Sequence, residues 1–194
     1  MIEGDAQLLA RAVAGDGAAR EALCTRYYLP VLRFFELNAT WVAEDLTQRT
    51  FVACLEKLST VPANAFRPYL FGIARNQLRL YVRAAMTRMA HDEPDAEVKH
   101  TGVSTIVARS QQQRRLLVAL GKLSEEERIA ITLHYWEELS SAELGQVLNI
   151  PASTVRTRLM RARERIRAEL ERQGERNPQV ETVLRNLGPR LDRT

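Results

Sequence analysis

SSAELGQVLNIPASTVRTRLMRARERIRAEL, running from Ser140 to Leu170, reads as a short helix, a tight turn and an arginine-rich helix. Ser140 followed three residues later by Glu143 makes a capping box, in which each side chain satisfies a backbone N–H that a helix start leaves free. The first helix carries Leu144, Val147 and Leu148 at helical spacing. It stops at Asn149, a residue that tolerates the left-handed conformation needed to reverse the chain. Pro151 pre-sets the first turn of the next helix. There Val155, Leu159, Ala162, Ile166 and Leu170 recur at three- and four-residue steps, which puts them on one buried stripe. The outward arc then carries Ser153, Thr154, Arg156, Thr157, Met160 and Arg161, with Arg158 at its edge. A recognition helix reads base edges from its N-terminal turns, with Arg suited to guanine and Ser or Thr to several edges. Arg163, Arg165 and Arg167 lie further along, where they serve phosphates or solvate the helix. A capped helix, a turn and a basic helix in this order make a DNA-reading module.

Outward from this module, composition bounds the rest. The 194 residues suffice for one large or two small domains. Lys and Arg number 28 against 24 for Asp and Glu, and a pI near 9.4 suits a polyanionic partner, although a net +4 makes the placement of charge matter more than its sum. Cys24 and Cys54 sit in apolar helical patterns without CxxC spacing, which favours buried, reduced thiols. His91, His100 and His134 are scattered, so no metal site and no cofactor are expected. No leader and no apolar run of roughly eighteen residues is seen, so the expectation is a cytoplasmic protein without membrane insertion.

Almost every strong period is helical, and the predicted fold is all-α: two small helical domains joined by a linker, the second a four-helix domain with a helix-turn-helix. A first helix runs from Asp5 to Ala14 and ends at Gly15-Asp16-Gly17. A second passes through Leu23, Tyr27, Val31 and Phe35 and is kinked or interrupted near Pro30. Trp41 begins a third that ends near Leu58, residues 59–65 are turn-like, and a fourth spans Phe66 to Arg88. The domain limits follow as 1–88, a polar linker 89–106, a second domain 107–172 with helix returning at Val107, and a tail 173–194. Within the second domain Ser124 to Glu127 is another capping box, opening a helix that buries Ile129, Leu133 and Trp136. In the tail, Val180, Val183, Leu184 and Leu187 suit a short amphipathic helix that packs on the second domain or binds a regulator.

Two faces of the first domain carry charge. On the third helix Val42, Leu46, Phe51, Ala53, Cys54, Leu55 and Leu58 form a broad apolar arc, leaving Asp45, Gln48, Arg49 and Glu56 outside it. On the fourth, Arg75, Arg79 and Arg83 are spaced by four, with Gly72 and Asn76 on the same side. That basic stripe suits a nucleic-acid backbone, and Tyr69, Phe71 and Tyr81 are available either for base stacking or for the core. No Gly-rich phosphate loop, histidine pair or nucleophile elbow is present, so the chain is not expected to be an enzyme and no catalytic residue is assigned. A helix-turn-helix regulator that binds duplex DNA unaided stays open on these features alone.

DLTQRTF at Asp45 to Phe51, FRPYLFGIARN at Phe66 to Asn76, LSEEER at Leu123 to Arg128 and the helix-turn-helix together resemble a bacterial sigma factor of the extracytoplasmic function (ECF) group, over residues 5–172. The resemblance implies a promoter-directing initiation factor whose partners are core RNA polymerase, promoter DNA and an anti-sigma factor. Asp45, Gln48, Arg49 and Glu56 would dock on the polymerase. The loop 59–65, with Asn64, would hold an extruded base of the minus-10 element, with Gly72, Asn76, Arg79 and Arg83 along the unwound strand. Ser153, Thr154, Arg156, Thr157, Arg158, Met160 and Arg161 would read the minus-35 duplex. Arg49, Tyr69 and Leu80 stand where the family usually has an acid, a tryptophan and an aspartate.

Overall fold

A computed structural model of the chain describes residues 3–91, 110–176 and 178–187. Among them every regular element is helical. They are α1 (Asp5–Val13), α2 (Gly17–Ala39), α3 (Ala43–Glu56), α4 (Phe66–His91), α5 (Gln111–Gly121), α6 (Glu125–Tyr135), α7 (Ser141–Leu148), α8 (Ala152–Arg172) and α9 (Val180–Leu187). The chain divides into two compact units: α1, α3, α4 and α2 as far as Phe35 form one, and α5 to α9 together with Glu36–Trp41 form the other. Residues 92–106 of the linker expected at 89–106, and the return of helix at Val107, lie outside the described residues.

In the first unit the helices close on an aromatic core. Phe34, Phe35 and Phe71 are all buried, and Phe34 meets both others edge-on, with ring centres 5.1 and 6.2 Å away. Tyr27 packs on Phe66 at 5.5 Å, and its hydroxyl donates to the Asp5 carboxylate, which also receives Arg26. One acid at the head of α1 thereby holds α1 to α2. Pro30 lies inside α2, which runs on as one helix, so an interruption there does not occur. Trp41 belongs to a 3-10 turn, Thr40–Val42, ahead of α3 and is exposed. α4 continues past Arg88 to His91, into the stretch expected to start the linker.

The second unit starts three helices with one device. Ser124 and Glu127 cap α6, and Ser140 and Glu143 cap α7, as the sequence predicts. Ser110 and Gln113 do the same for α5, where glutamine replaces the acid and the signal is easily overlooked. The reversal between α7 and α8 is made by Asn149 at φ 54°, ψ 49°. Gly145 is required there for a packing reason, because a Cβ would stand 2.8 Å from the Ile150 carbonyl oxygen. Val155, Leu159, Ala162, Ile166 and Leu170 are buried as expected. The tail makes α9, whose Val180, Val183 and Leu184 are buried against α5 and α8, so it packs on the second domain and adds a helix to the expected four.

Candidate nucleic-acid interfaces

Seven arginines project from α8, and their partners sort them. Arg158 is turned back onto α6, ion-paired with Glu126 and only 22% exposed. Arg165 reaches the Glu127 carboxylate at 2.8 Å. Arg163 meets Glu181 of α9 at 3.1 Å and the Tyr135 hydroxyl at 3.3 Å, and Arg172 is paired with Glu169. Among the described residues Arg156, Arg161 and Arg167 have no ion-pair or hydrogen-bond partner and are exposed. Of the seven residues expected on the duplex-reading arc, Ser153, Thr154, Arg156, Thr157, Met160 and Arg161 are therefore presented together at the open end of α8. Arg158 is not: helical periodicity puts it at the edge of the arc, and the acid that claims it comes from another helix.

α4 presents the second basic surface. Asn76, Arg79 and Arg83 are exposed along one side, Gly72 is half-buried, and Arg75 is half-buried with contacts of its own. A Cβ on Gly72 would meet nothing within 4 Å, so the protein's own packing does not demand glycine, and the bare backbone faces outward. Over its 26 residues α4 carries five arginines and no acid. Phe71 is fully buried, which assigns it to the core, whereas Tyr69 and Tyr81 are half-buried. Leu80 stands exposed on the edge of the stripe, its apolar surface replacing any carboxylate there. The loop ahead of α4 is pinned by buried Val61 and by a turn in which the Ala65 N–H donates to the Pro62 carbonyl at 2.9 Å, leaving Asn64 exposed.

α3 buries Ala43, Leu46, Thr47, Thr50 and Cys54. Its other side shows Asp45, Gln48, Arg49 and Glu56 as expected, and with them Val52 and Leu55, 58% and 41% exposed. Leu55 was expected in the apolar arc. Buried Thr47 and Thr50, whose hydroxyls bond the Ala43 and Leu46 carbonyls, rotate the true inner face away from it. Arg49 pairs with Asp45 one turn before it at 3.0 Å. Phe51 stacks on exposed Tyr28 of α2, with ring centres 6.4 Å apart. Charge mixed with exposed apolar side chains marks this face as suited to protein contact.

Among the described residues no group of His, Cys, Asp and Glu could hold a metal ion, and no helix is long and apolar enough to cross a membrane. Burial pushes the Cys54 thiol up to about 12, with neighbouring Cys24 adding to the shift.

Two family models match, Sigma-70 region 2 over residues 22–88 and Sigma-70 region 4 over residues 113–166. The chain is similar to the ECF RNA polymerase sigma factor SigW of Bacillus subtilis (strain 168), 33% identical over 147 residues, covering 66% of this chain and 75% of that one. Its fold resembles that of CnrH, solved in complex with the cytosolic domain of CnrY, with a TM-score of 0.63 and 27% identity over 88% of this chain and 99% of that one. It also resembles the fold of the sigma factor RpoE of Bartonella quintana, solved with the anti-sigma factor NepR, with a TM-score of 0.64 and 24% identity over 78% of this chain and 98% of that one.

Proposed function

The chain belongs to the ECF group of the sigma-70 family, and on that footing we propose how its two units share promoter recognition by RNA polymerase. It is a sigma factor, directing core polymerase to promoters, and acts as an initiation factor rather than an enzyme. In our reading residues 1–88 form the polymerase-docking and minus-10 domain, residues 89–106 the linker, and residues 107–172 the minus-35 domain. The observation that carries this division is the pairing of an acid-free α4, in the segment matching region 2, with a capped helix-turn-helix in the segment matching region 4.

Each surface fits its assignment. Arg79 and Arg83 on an acid-free helix attract a polyanion, and Asn76 and the bare backbone of Gly72 let a strand come close. Asn64, exposed on a pinned loop, is placed to meet an extruded base. Ser153, Thr154, Arg156, Thr157, Met160 and Arg161 offer the hydroxyl, guanidinium and apolar groups that major-groove edges accept. Asp45, Gln48, Arg49 and Glu56 surround Val52 and Leu55, a polar rim about an apolar centre, and we assign that face to the polymerase. Each DNA surface alone makes few phosphate contacts, so affinity comes from holding both on one polymerase, which raises the effective concentration of the second contact. An anti-sigma factor is the remaining partner in this reading, as NepR is for the similarly folded RpoE. The site of action is the cytoplasm, where polymerase and chromosome meet.

Run-off transcription from a promoter library tests the reading, using sigma-free core polymerase with and without the protein. Protein-dependent starts at a shared two-element motif are expected. Tight duplex binding by the protein alone with no starts would instead support a conventional helix-turn-helix regulator.

A further inference from the structure

We propose that Glu126 is a positioning residue for minus-35 recognition: by holding Arg158 it sets the rotation of α8 and so decides which side chains meet the bases. The inference rests on the promoter-reading role given above to α8. Glu126 and Glu127 occupy the first turn of α6, where acids are favoured by the helix dipole, and that local reason explains them fully at the level of sequence. The structure gives them a second task.

Arg158 and Arg165 lie seven residues apart, two turns along α8, on the same flank of its buried stripe. Each is bound to a neighbouring acid of α6, Arg158 to Glu126 and Arg165 to Glu127. The Glu127 Oε2 atom accepts at once from the Ser124 backbone N–H at 3.0 Å, from the Ser124 hydroxyl at 2.9 Å and from Arg165 at 2.8 Å. The cap of α6 and the lower anchor of α8 thus share one oxygen, and Glu127 is 10% exposed. Two anchors two turns apart on one flank fix both the rotation and the height of α8. A single anchor would leave rotation to the packing of Val155, Leu159, Ala162 and Ile166, which are apolar and non-directional.

The upper anchor sits where it matters for reading. Arg158 follows Thr157 and precedes Met160 by two residues, so turning α8 about its axis at that level sweeps Arg156, Thr157, Met160 and Arg161 across the groove floor. Arg158 is occupied by a carboxylate and largely buried, so it contributes orientation rather than a phosphate or base contact.

The test uses holoenzyme and a library randomised over the minus-35 element, with thermal unfolding of the free protein measured alongside. In that assay wild-type initiation at two-element promoters tests the sigma reading, and the variants test only this proposal. Glu126→Gln keeps the shape of a partly exposed side chain and removes the charge. It and Arg158→Ala are expected to flatten the preference at minus-35 positions by about ten-fold while the salt dependence of binding stays at the wild-type slope. The exchanged pair Glu126→Arg with Arg158→Glu restores the preference. Two results overturn the proposal. In one, Arg158→Ala weakens all sequences equally and lowers the salt slope by about one, the signature of a phosphate contact. In the other, Glu126→Gln leaves the preference profile unchanged, which decides the matter even if the exchanged pair does not fold.

Discussion

The indole N–H of Trp136 donates to the main-chain carbonyl of Leu184 at 3.0 Å, joining the end of α6 to α9. Leu184 is fully buried, and the Arg185 guanidinium lies 5.9 Å from the ring centre of Tyr135, the residue before Trp136. The tail is thereby part of the second unit's core. Leu184→Ala is expected to lower the unit's stability by about 2–4 kcal/mol in urea unfolding, the usual cost of emptying a buried leucine site. Minus-35 binding by the folded fraction stays unchanged, since α9 adds nothing to the reading arc. A large binding defect without a stability loss would contradict this placement.

The turn between α7 and α8 distinguishes two kinds of backbone demand. Gly145→Ala forces a Cβ to within 2.8 Å of the Ile150 carbonyl and should cost about 1–3 kcal/mol, as overpacking against backbone does. Asn149→Gly, at a left-handed position, should be neutral to within about 0.5 kcal/mol, while Asn149→Ala costs about 1 kcal/mol. Thermal unfolding of the three variants measures the contrast, and equal losses at both positions would refute it.

Arg79 and Arg83 are assigned to the phosphates of the unwound strand. Replacing both by alanine should lower the salt-dependence slope of promoter opening by about 1.4, since each single-strand phosphate contact is worth about 0.7. Start-site selection should survive, because phosphates carry no sequence. A change in selection without a change in slope would move these arginines from backbone to base contact.

Cys54 makes the alkaline limit of the first unit predictable in sign. Its thiol is raised from 9.0 in the unfolded chain to about 12 in the fold, because burial penalises the thiolate. Below pH 9 both states hold the proton and the folded state keeps its full advantage. As pH rises from about 9 towards 12 the unfolded state ionises first, so stability falls through that window. Urea midpoints across this range should drop in the wild type and drop less in Cys54→Ala. In the folded protein at pH 8, Cys54 should resist alkylation that proceeds readily in urea.

Helix α7, the turn and α8 were legible in the sequence because each is decided locally: Ser140 and Glu143 cap, Asn149 reverses, and five apolar residues mark one stripe. The basic arc was legible for the same reason, save Arg158, whose fate depends on an acid 32 residues away. The inner face of α3 was misjudged at Leu55 because Thr47 and Thr50, polar by type, are buried once their hydroxyls bond their own helix. Val180, Val183, Leu184 and Leu187 announced an amphipathic helix, but four apolar residues do not say what they cover. Trp136 and Tyr135 supply that answer only in three dimensions.

The freedom of α4 from acids has a thermodynamic corollary. Arg79 and Arg83 stand one turn apart with no carboxylate on their helix, and like charges at that spacing repel by about 0.2–0.5 kcal/mol. The apolar side, Phe66, Leu70, Phe71, Ala74 and Leu78, holds the helix against that repulsion. A bound polyanion removes it. The first unit is therefore built to be slightly frustrated when empty, and single-stranded DNA or simple added salt should raise its melting temperature, turning counter-ion supply into a measure of how far the domain is tuned for its ligand.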